Sequence, residues 1–220
     1  MEEITEEITV WGRATSSNVQ AVLWGLAEMG LPFRRIDAGG RFGGLDTPDY
    51  RAMNPPGLIP TVRIGDGPAL FESAAILRAL LARFGDPPFW PDGPDARAVI
   101  DMWAEWSKHT LAASFTVPVF WAHWRTPEAE RDTAAIEKGL RRFERNLALF
   151  CDQCRGDWLL GDFSLADIWA GHVLYRYFTL DLDRRPPPGA EAYYDRLAAR
   201  PAYGEHVMVD YSELKAVRRS

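Results

Sequence analysis

Cysteine is scarce in this sequence, because only Cys151 and Cys154 occur among 220 residues. Two nearby thiols do not make the disulfide framework of a small secreted protein, so we expect a reducing compartment. Long apolar runs are also missing, since no stretch approaches the ~18 consecutive apolar residues of a membrane span. Segment 1–7 is acidic and lacks the basic start and apolar run of a secretory signal. We therefore predict a solvated tail over 1–7, no membrane partner and a cytoplasmic location.

An excess of positive charge is absent too. The 25 Lys and Arg residues face 31 Asp and Glu residues, which gives a formal net charge of −6. Nucleic acids are bound by clustered cations that neutralise phosphates, so no nucleic-acid partner is expected. Hydrophobic residues at 47% and charged residues at 25% are typical of a globular protein, and the length suits one large or two small domains.

The first part of the chain alternates between strand and helix patterns. The patterns predict strands over 8–11, 33–37, 61–64 and 69–71, and helices over 19–29, from Pro48 after a Thr47 cap, and over 73–84. Residues 65–68, GDGP, are typical of a hairpin turn between the last two strands. The resulting βαβαββα order is that of the thioredoxin fold, which we assign to 8–85.

A proline-rich stretch, DPPFWPDGP over 86–94, predicts a stiff linker and the domain boundary. Residues 95–220 then follow helical patterns throughout, so we predict an all-α bundle as the second domain. The predicted helices begin near Asp95, after Thr126-Pro127, at Ser164 and after Pro188-Gly189.

Four segments together resemble the cytosolic glutathione transferase family over nearly the whole chain, in particular its serine-type, theta- and delta-like, bacterial-style members. The segments are 12–20 (GRATSSNVQ), 54–62 (NPPGLIPTV), 71–76 (FESAAI) and 161–167 (GDFSLAD). They are similar to the family's first strand–helix turn, its cis-proline segment, its Glu-Ser pair and the capping motif of its helical domain. The resemblance implies glutathione as co-substrate, a small electrophile as second substrate and a homodimer.

Such chemistry requires a lowered thiol pKa, because a free thiol near 8.5 is mostly protonated at neutral pH and the thiolate is the nucleophile. A helix start offers both a hydroxyl and backbone N–H groups to an anion. Ser16 occupies that place, and the resemblance makes it the catalytic serine. Thr15, Ser17 and Asn18 are close enough to take the role instead.

The resemblance also implies glutathione contacts at two further places. The first is the segment of Leu58, Ile59 and a cis-Pro60. There the backbone of Ile59 would pair with the cysteinyl part of glutathione. Glu72 would pair the γ-glutamyl ammonium while Ser73 caps its carboxylate. Arg41 is the basic residue of the Gly39–Gly44 loop, and we assign it to the glycyl carboxylate.

Aromatic residues crowd the first long helix of the second domain. Most are expected in the core. The resemblance implies that some residues of this helix line an apolar electrophile pocket, namely Trp103, Trp106, His109, Thr110, Phe115 and Trp121.

Two other patterns are interpreted as structural. Cys151 and Cys154 have redox spacing, but a thioredoxin-type pair belongs at the start of the first helix, where Ser16 and Ser17 stand. The four histidines show no ligand spacing, so no metal is expected. Two rival functions remain open: a glutathione-dependent isomerase, lyase or peroxidase on the same fold, and a non-catalytic binding module.

Overall fold

The computed structural model describes residues 6–216, so residues 1–5 of the predicted tail lie outside the described residues. The chain divides into two compact units. The first contains the residues up to Asp86 together with Glu205–Val209, and the second contains Pro87–Gly204 and the residues from Asp210 onward. The division falls at the start of the predicted linker segment.

The first unit is built on a four-stranded mixed sheet in the order β2-β1-β3-β4. Its strands are β1 (Ile8–Trp11), β2 (Phe33–Ile36), β3 (Thr61–Ile64) and β4 (Leu70–Phe71). β1 pairs parallel with β2 and antiparallel with β3, and the β3–β4 hairpin pairs Thr61 with Phe71. This arrangement confirms the predicted thioredoxin-like order of parallel strands first and a hairpin last.

Three helices accompany the sheet: α1 (Ser17–Glu28), α2 (Pro48–Met53) and α3 (Ser73–Phe84). α1 is apolar on most of its surface, and Val22 and Trp24 are completely buried. Thr47 caps α2 as predicted, since its Oγ1 accepts a hydrogen bond of 3.3 Å from the Tyr50 N–H. A short 3₁₀ turn over Gly40–Phe42 interrupts the glycine-rich loop.

The second unit begins with a continuous helical segment of uneven winding. It contains α4 (Pro94–Trp106), a π-helical stretch over Ser107–Ala112, α5 (Ala113–Phe115), a second π stretch over Thr116–Trp121, and α6 (Ala122–Trp124). Pro118 lies in the second π stretch, where its missing N–H removes one helical hydrogen bond. Gly139 lets the next helix approach closely, because an added Cβ would lie 3.0 Å from the Pro118 Cβ.

Five further helices complete the second part of the chain: α7 (Thr133–Gln153), α8 (Leu165–Gly171), α9 (Leu174–Thr179), α10 (Ala190–Ala198) and α11 (Pro201–His206). The predicted start after Thr126-Pro127 is wrong, since only a 3₁₀ turn over Glu128–Glu130 forms there. The chain is then extended at Arg131, and α7 begins after Asp132, whose carboxylate accepts a 2.9 Å bond from the Ala135 N–H. The capping carboxylate therefore fixes the helix start.

The predicted capping pair Ser164 and Asp167 is confirmed at the start of α8. Asp167 Oδ2 accepts hydrogen bonds of 3.0 Å from both the N–H and the hydroxyl of Ser164. Asp167 Oδ1 accepts from the Leu159 N–H at 3.1 Å and the Tyr193 hydroxyl at 2.9 Å. Burial raises the pKa of this carboxyl, and the four bonds oppose that rise.

The proline-rich stretch packs on the helical unit. Trp90 is buried beneath the Arg97 guanidinium, which lies 5.4 Å from the ring centroid, and Phe89 stacks on Phe163 at 5.5 Å. Across residues 6–216, none of the helices has both the length and the apolar character needed to span a bilayer.

Candidate active site

The turn from β1 into α1 is set by Gly12. Its φ of 156° is a conformation that favours glycine, and a Cβ there would lie 2.5 Å from Val19 Cγ2. The Gly12 N–H donates to the Ile36 carbonyl at 2.9 Å, which ties the turn to the end of β2. The chain can thus enter α1 directly after the strand, and this places the Thr15–Asn18 segment at the helix start.

Ser16 is the residue immediately before α1. Its backbone is extended, with φ −84° and ψ 122°, and its carbonyl accepts the first helical bond from the Gln20 N–H at 2.8 Å. Within the described residues its side chain makes no capping hydrogen bond, although the position is one where serine normally caps. The half-buried hydroxyl is therefore not used by the helix.

The three rival residues differ in accessibility. Thr15 is only 7% exposed, so its side chain offers little surface to a ligand. Ser17 is half-buried as the first residue of α1, and Asn18 is exposed. No acidic residue lies in the first turn of α1, so the positive end of the helix dipole keeps its full effect there.

The segment after α2 is held by a dense set of hydrogen bonds. The Leu58 carbonyl accepts from the Tyr50 hydroxyl at 2.7 Å and from Asn54 Nδ2 at 2.8 Å. The next peptide bond, Ile59–Pro60, is cis, as the resemblance implied. The Leu58 side chain itself is 60% exposed, so this segment is fixed through its backbone.

Glu72 has an unusual backbone at the start of α3. Its φ of 66° makes it the sole residue other than glycine with positive φ between residues 6 and 216. Such a conformation costs a side-chain-bearing residue about 1–3 kcal/mol, and it is found most often at functional sites. Glu72 is exposed, whereas Ser73, the first residue of α3, is 2% exposed. The exposed carboxylate of this strained residue therefore lies beside the start of α3.

These elements meet around one small pocket of about 60 Å³ in the first unit. Its lining residues are Asn18, Asn54, Leu58, Ile59, Pro60, Phe71, Glu72 and Ser73. The structure therefore gathers six of the predicted site residues, while Thr15, Ser16, Ser17 and Arg41 are not part of this lining. Sequence reasoning missed Asn54 and Phe71. Both lie inside recognised segments, since Asn54 is the first residue of 54–62 and Phe71 the first residue of 71–76.

Arg41 lies in the 3₁₀ turn of the glycine-rich loop and is exposed. Its guanidinium carbon is 4.7 Å from the centroid of the Phe42 ring. Its assignment to a carboxylate stays a prediction.

The residues predicted for an electrophile pocket lie on the long helical segment of the second unit. Trp103 and Trp106 make an edge-to-face pair at 5.5 Å, and His109 Nε2 lies 3.1 Å from the Glu105 carboxylate. Thr110 belongs to the first π stretch, and its carbonyl lies 3.3 Å from Asn146 Nδ2.

Phe115 and Trp121 have opposite surroundings. Phe115 is completely buried against Phe143 and Tyr177, with ring centroids at 4.9 and 6.1 Å. It is a core residue with no surface for a ligand, so its inclusion in the pocket is corrected. Trp121 is 44% exposed, with the Arg125 guanidinium 4.5 Å from its ring.

The cysteine pair has the properties of inert thiols. Burial raises the pKa of Cys151 to about 11 and that of Cys154 to about 12. The thiolates needed for redox chemistry are therefore strongly disfavoured. In the described part of the chain, no group of three or more His, Cys, Asp and Glu residues is arranged to hold a metal ion.

The fold and the site define a class of protein: a thioredoxin-like unit with a cis-proline pocket, followed by a helical unit. Residues 15–83 match the family model described as glutathione S-transferase, N-terminal domain, and residues 109–201 match the corresponding C-terminal domain. The chain belongs to the glutathione S-transferase family and is an enzyme of that family.

Individual relatives agree with this assignment. The chain is 36% identical over 208 residues to glutathione S-transferase GstB of Escherichia coli (strain K12), which covers 93% of this chain and 100% of the relative. It is 30% identical over 214 residues to glutathione S-transferase 3 of Zea mays, with 91% and 93% covered. Among solved structures, it is similar to the theta class glutathione S-transferase of Xanthomonas axonopodis pv. citri with glutathione bound. That match has a TM-score of 0.84 and 41% identity over 92% of this chain and 98% of the other.

Proposed function

We propose that this enzyme binds glutathione as its co-substrate in the pocket of the first unit and activates the thiol with the hydroxyl of Ser16. The observation that carries the proposal is the uncommitted Ser16 side chain at the amino terminus of α1. An N-cap serine without a capping bond has a hydroxyl available to donate to an anion. The pocket residues that support glutathione are Ile59, through its backbone, and the Glu72–Ser73 pair.

The energetics of this arrangement are sufficient. Lowering a thiol pKa by about two units requires roughly 2.7 kcal/mol of preference for the thiolate. One hydroxyl donating to a charged acceptor contributes about 1.5–3 kcal/mol, and a helix amino terminus adds about 0.3–1 kcal/mol. α1 has twelve residues and no acidic residue in its first turn, so both contributions are available.

The second substrate in this proposal is an apolar electrophile, which the thiolate attacks in an addition or substitution reaction. Its binding residues are the accessible part of the predicted set on the long helical segment: Trp103, Trp106, His109, Thr110 and Trp121. The cytoplasmic location and the homodimer implied by the family resemblance stay part of this proposal.

The decisive experiment is a pH titration of the thiolate absorbance of bound glutathione, in wild type and in Ser16→Ala. We expect the thiol pKa to rise by about one to two units in Ser16→Ala while glutathione affinity changes little, because only the charged form loses a partner. Ser17→Ala and Asn18→Ala are the matched controls and should leave the thiol pKa unchanged. If the thiol pKa kept its wild-type value in Ser16→Ala and rose in Ser17→Ala or Asn18→Ala, the role would pass to that residue.

A further inference from the structure

Tyr50, Asn54 and Thr61 form a buried hydrogen-bond network next to the pocket, and neither Tyr50 nor Thr61 lines it. Tyr50 is 5% exposed, Asn54 1% and Thr61 0%. The Tyr50 hydroxyl lies 2.9 Å from Thr61 Oγ1, and Asn54 Nδ2 lies 2.9 Å from the same oxygen. Tyr50 and Asn54 both donate to the Leu58 carbonyl as well.

The directions of these bonds follow from the chemistry of the groups. A carbonyl only accepts, so the single Tyr50 hydroxyl proton goes to Leu58 and the Thr61 hydroxyl proton must go to the Tyr50 oxygen. Thr61 Oγ1 then accepts the second N–H of Asn54. Burial raises the pKa of Tyr50, which keeps its phenol protonated as this scheme requires. Both acceptor positions of the Leu58 carbonyl are thereby occupied.

Holding the Leu58 carbonyl also holds the Ile59 N–H. The two groups belong to one planar peptide unit and point in opposite directions across it. Fixing the carbonyl with two donors therefore fixes the direction of the N–H that, in the proposed function, pairs with the cysteinyl part of glutathione.

The network also reaches the other side of the pocket. Thr61 is paired across the β3–β4 hairpin with Phe71, the residue before Glu72. One hydroxyl thus joins the Ile59 backbone to the strand that ends at the Glu72–Ser73 pair.

A stability role alone does not account for the composition of this network. Asn54 Oδ1 is buried without a hydrogen-bond partner among the described residues. An unpaired buried acceptor destabilises a fold, so Asn54 is a poor choice for stability alone. Its two N–H donors, by contrast, are both used on the network.

We propose that Tyr50, Asn54 and Thr61 are positioning residues that set the orientation of the Ile59 backbone N–H and hold it in register with Glu72 and Ser73. This role rests on the proposed function. It predicts that weakening the network lowers glutathione affinity without changing the chemistry at sulfur, since Ser16 is untouched.

The test compares Tyr50→Phe with Tyr211→Phe. Tyr211 is an 8% exposed tyrosine of the second unit whose hydroxyl lies 2.8 Å from Oγ1 of the exposed Thr179, so each change removes one Tyr–Thr hydrogen bond. Tyr50→Phe removes both hydrogen bonds of the phenol, with the Leu58 carbonyl and with Thr61 Oγ1. We expect it to raise the dissociation constant and KM for glutathione by about three- to tenfold, which corresponds to losing one hydrogen bond between glutathione and the Ile59 backbone. The kcat at saturating glutathione and the thiol pKa of bound glutathione should stay within about twofold and a few tenths of a unit of wild type. Tyr211→Phe should also lose stability, through its own hydrogen bond to Thr179, but should leave all three values unchanged.

A second pair tests the Thr61 hydroxyl directly. Thr61→Val keeps the β-branched shape and removes the hydroxyl, whereas Thr61→Ser keeps the hydroxyl. Glutathione affinity should fall in Thr61→Val and be largely restored in Thr61→Ser. Should Thr61→Val fail to fold, the Tyr50→Phe comparison decides. Variants that lose stability but bind glutathione like wild type would overturn the positioning role alone, while a wild-type protein that bound no glutathione would overturn the proposed function.

Discussion

Replacing Glu72 is expected to change glutathione binding and protein stability in different ways, because its backbone conformation is unfavourable for any residue with a side chain. At φ 66° and ψ 108°, a residue with a Cβ is strained by about 1–3 kcal/mol. Glycine removes that strain but loses about 0.5–1 kcal/mol through the greater freedom of the unfolded chain. Glu72→Gly should therefore be more stable than Glu72→Ala by about 1 kcal/mol, although both lack the carboxylate.

The assay is denaturant unfolding of both variants together with calorimetric titration of glutathione. Both should lose glutathione affinity by roughly tenfold or more, because a charged hydrogen bond contributes about 1.5–3 kcal/mol. Glu72→Gln keeps the strain and the size while losing the charge, so it should weaken binding and leave stability near that of wild type.

Ala75, an exposed residue inside α3, supplies the control for glycine itself. Ala75→Gly should destabilise the protein by about 0.5–1 kcal/mol, opposite in sign to the Gly-minus-Ala difference at Glu72. If Glu72→Gly proved less stable than Glu72→Ala, the argument from backbone strain would be refuted.

Two further predictions concern positions away from ligand contact. Gly12→Ala should destabilise the protein by about 1–3 kcal/mol and reduce activity, because its Cβ would lie 2.5 Å from Val19 Cγ2. The control is Gly204→Ala in α11, which should not destabilise, because the added Cβ would meet no atom of another part of the chain within 4 Å. His172 is buried, donates from Nδ1 to the Trp169 carbonyl, and has a pKa lowered from 6.5 to about 3 by that burial and by the nearby cations Arg176 and Lys108. Its neutral ring stabilises the fold fully above about pH 6.5, and this contribution, at most about 5 kcal/mol, is lost as the pH falls towards 3 because the unfolded chain takes up the proton. Unfolding curves of His172→Asn should accordingly show a flatter pH dependence than wild type between pH 6.5 and 3; parallel curves would contradict the buried neutral ring.

The sequence predicted the first unit well because its signals are local. The Gly-Asp-Gly-Pro turn, the Thr47 cap and the start of α3 at Ser73 each depend on residues within one turn of the feature, and each is confirmed. The predicted start of α7 was wrong because it also relied on a local signal. Pro127 suggested a helix start, but Asp132 supplied a stronger cap five residues later.

The π-helical winding of the long helical segment could not be predicted from the periodicity of its apolar residues. A π turn shifts every following side chain relative to an ideal helix, and two such stretches lie between Trp106 and Ala122. A helical pattern therefore gives no reliable face for Phe115, which lies wholly in the core, or for Trp121, which is partly exposed.

Site residues that lie inside a sequence motif could be predicted. Residues whose role depends on three-dimensional packing could not. Ser16, Ile59 and Glu72 stand inside recognisable segments. The convergence of Tyr50 and Asn54 on one carbonyl depends on how α2 packs beside the proline segment, and sequence spacing does not encode that contact. The unused Ser16 hydroxyl is likewise visible only in the structure.

The hydrogen bonds of Asp167 have a practical consequence for any mutational survey of this enzyme. One carboxylate joins the loop before α8, the first turn of α8 and the Tyr193 side chain of α10. Substitutions there should reduce the amount of folded enzyme rather than its turnover. A screen that scores activity in crude lysate would rank Asp167 beside Ser16, and only normalisation to the concentration of folded protein would separate a missing enzyme from a slow one.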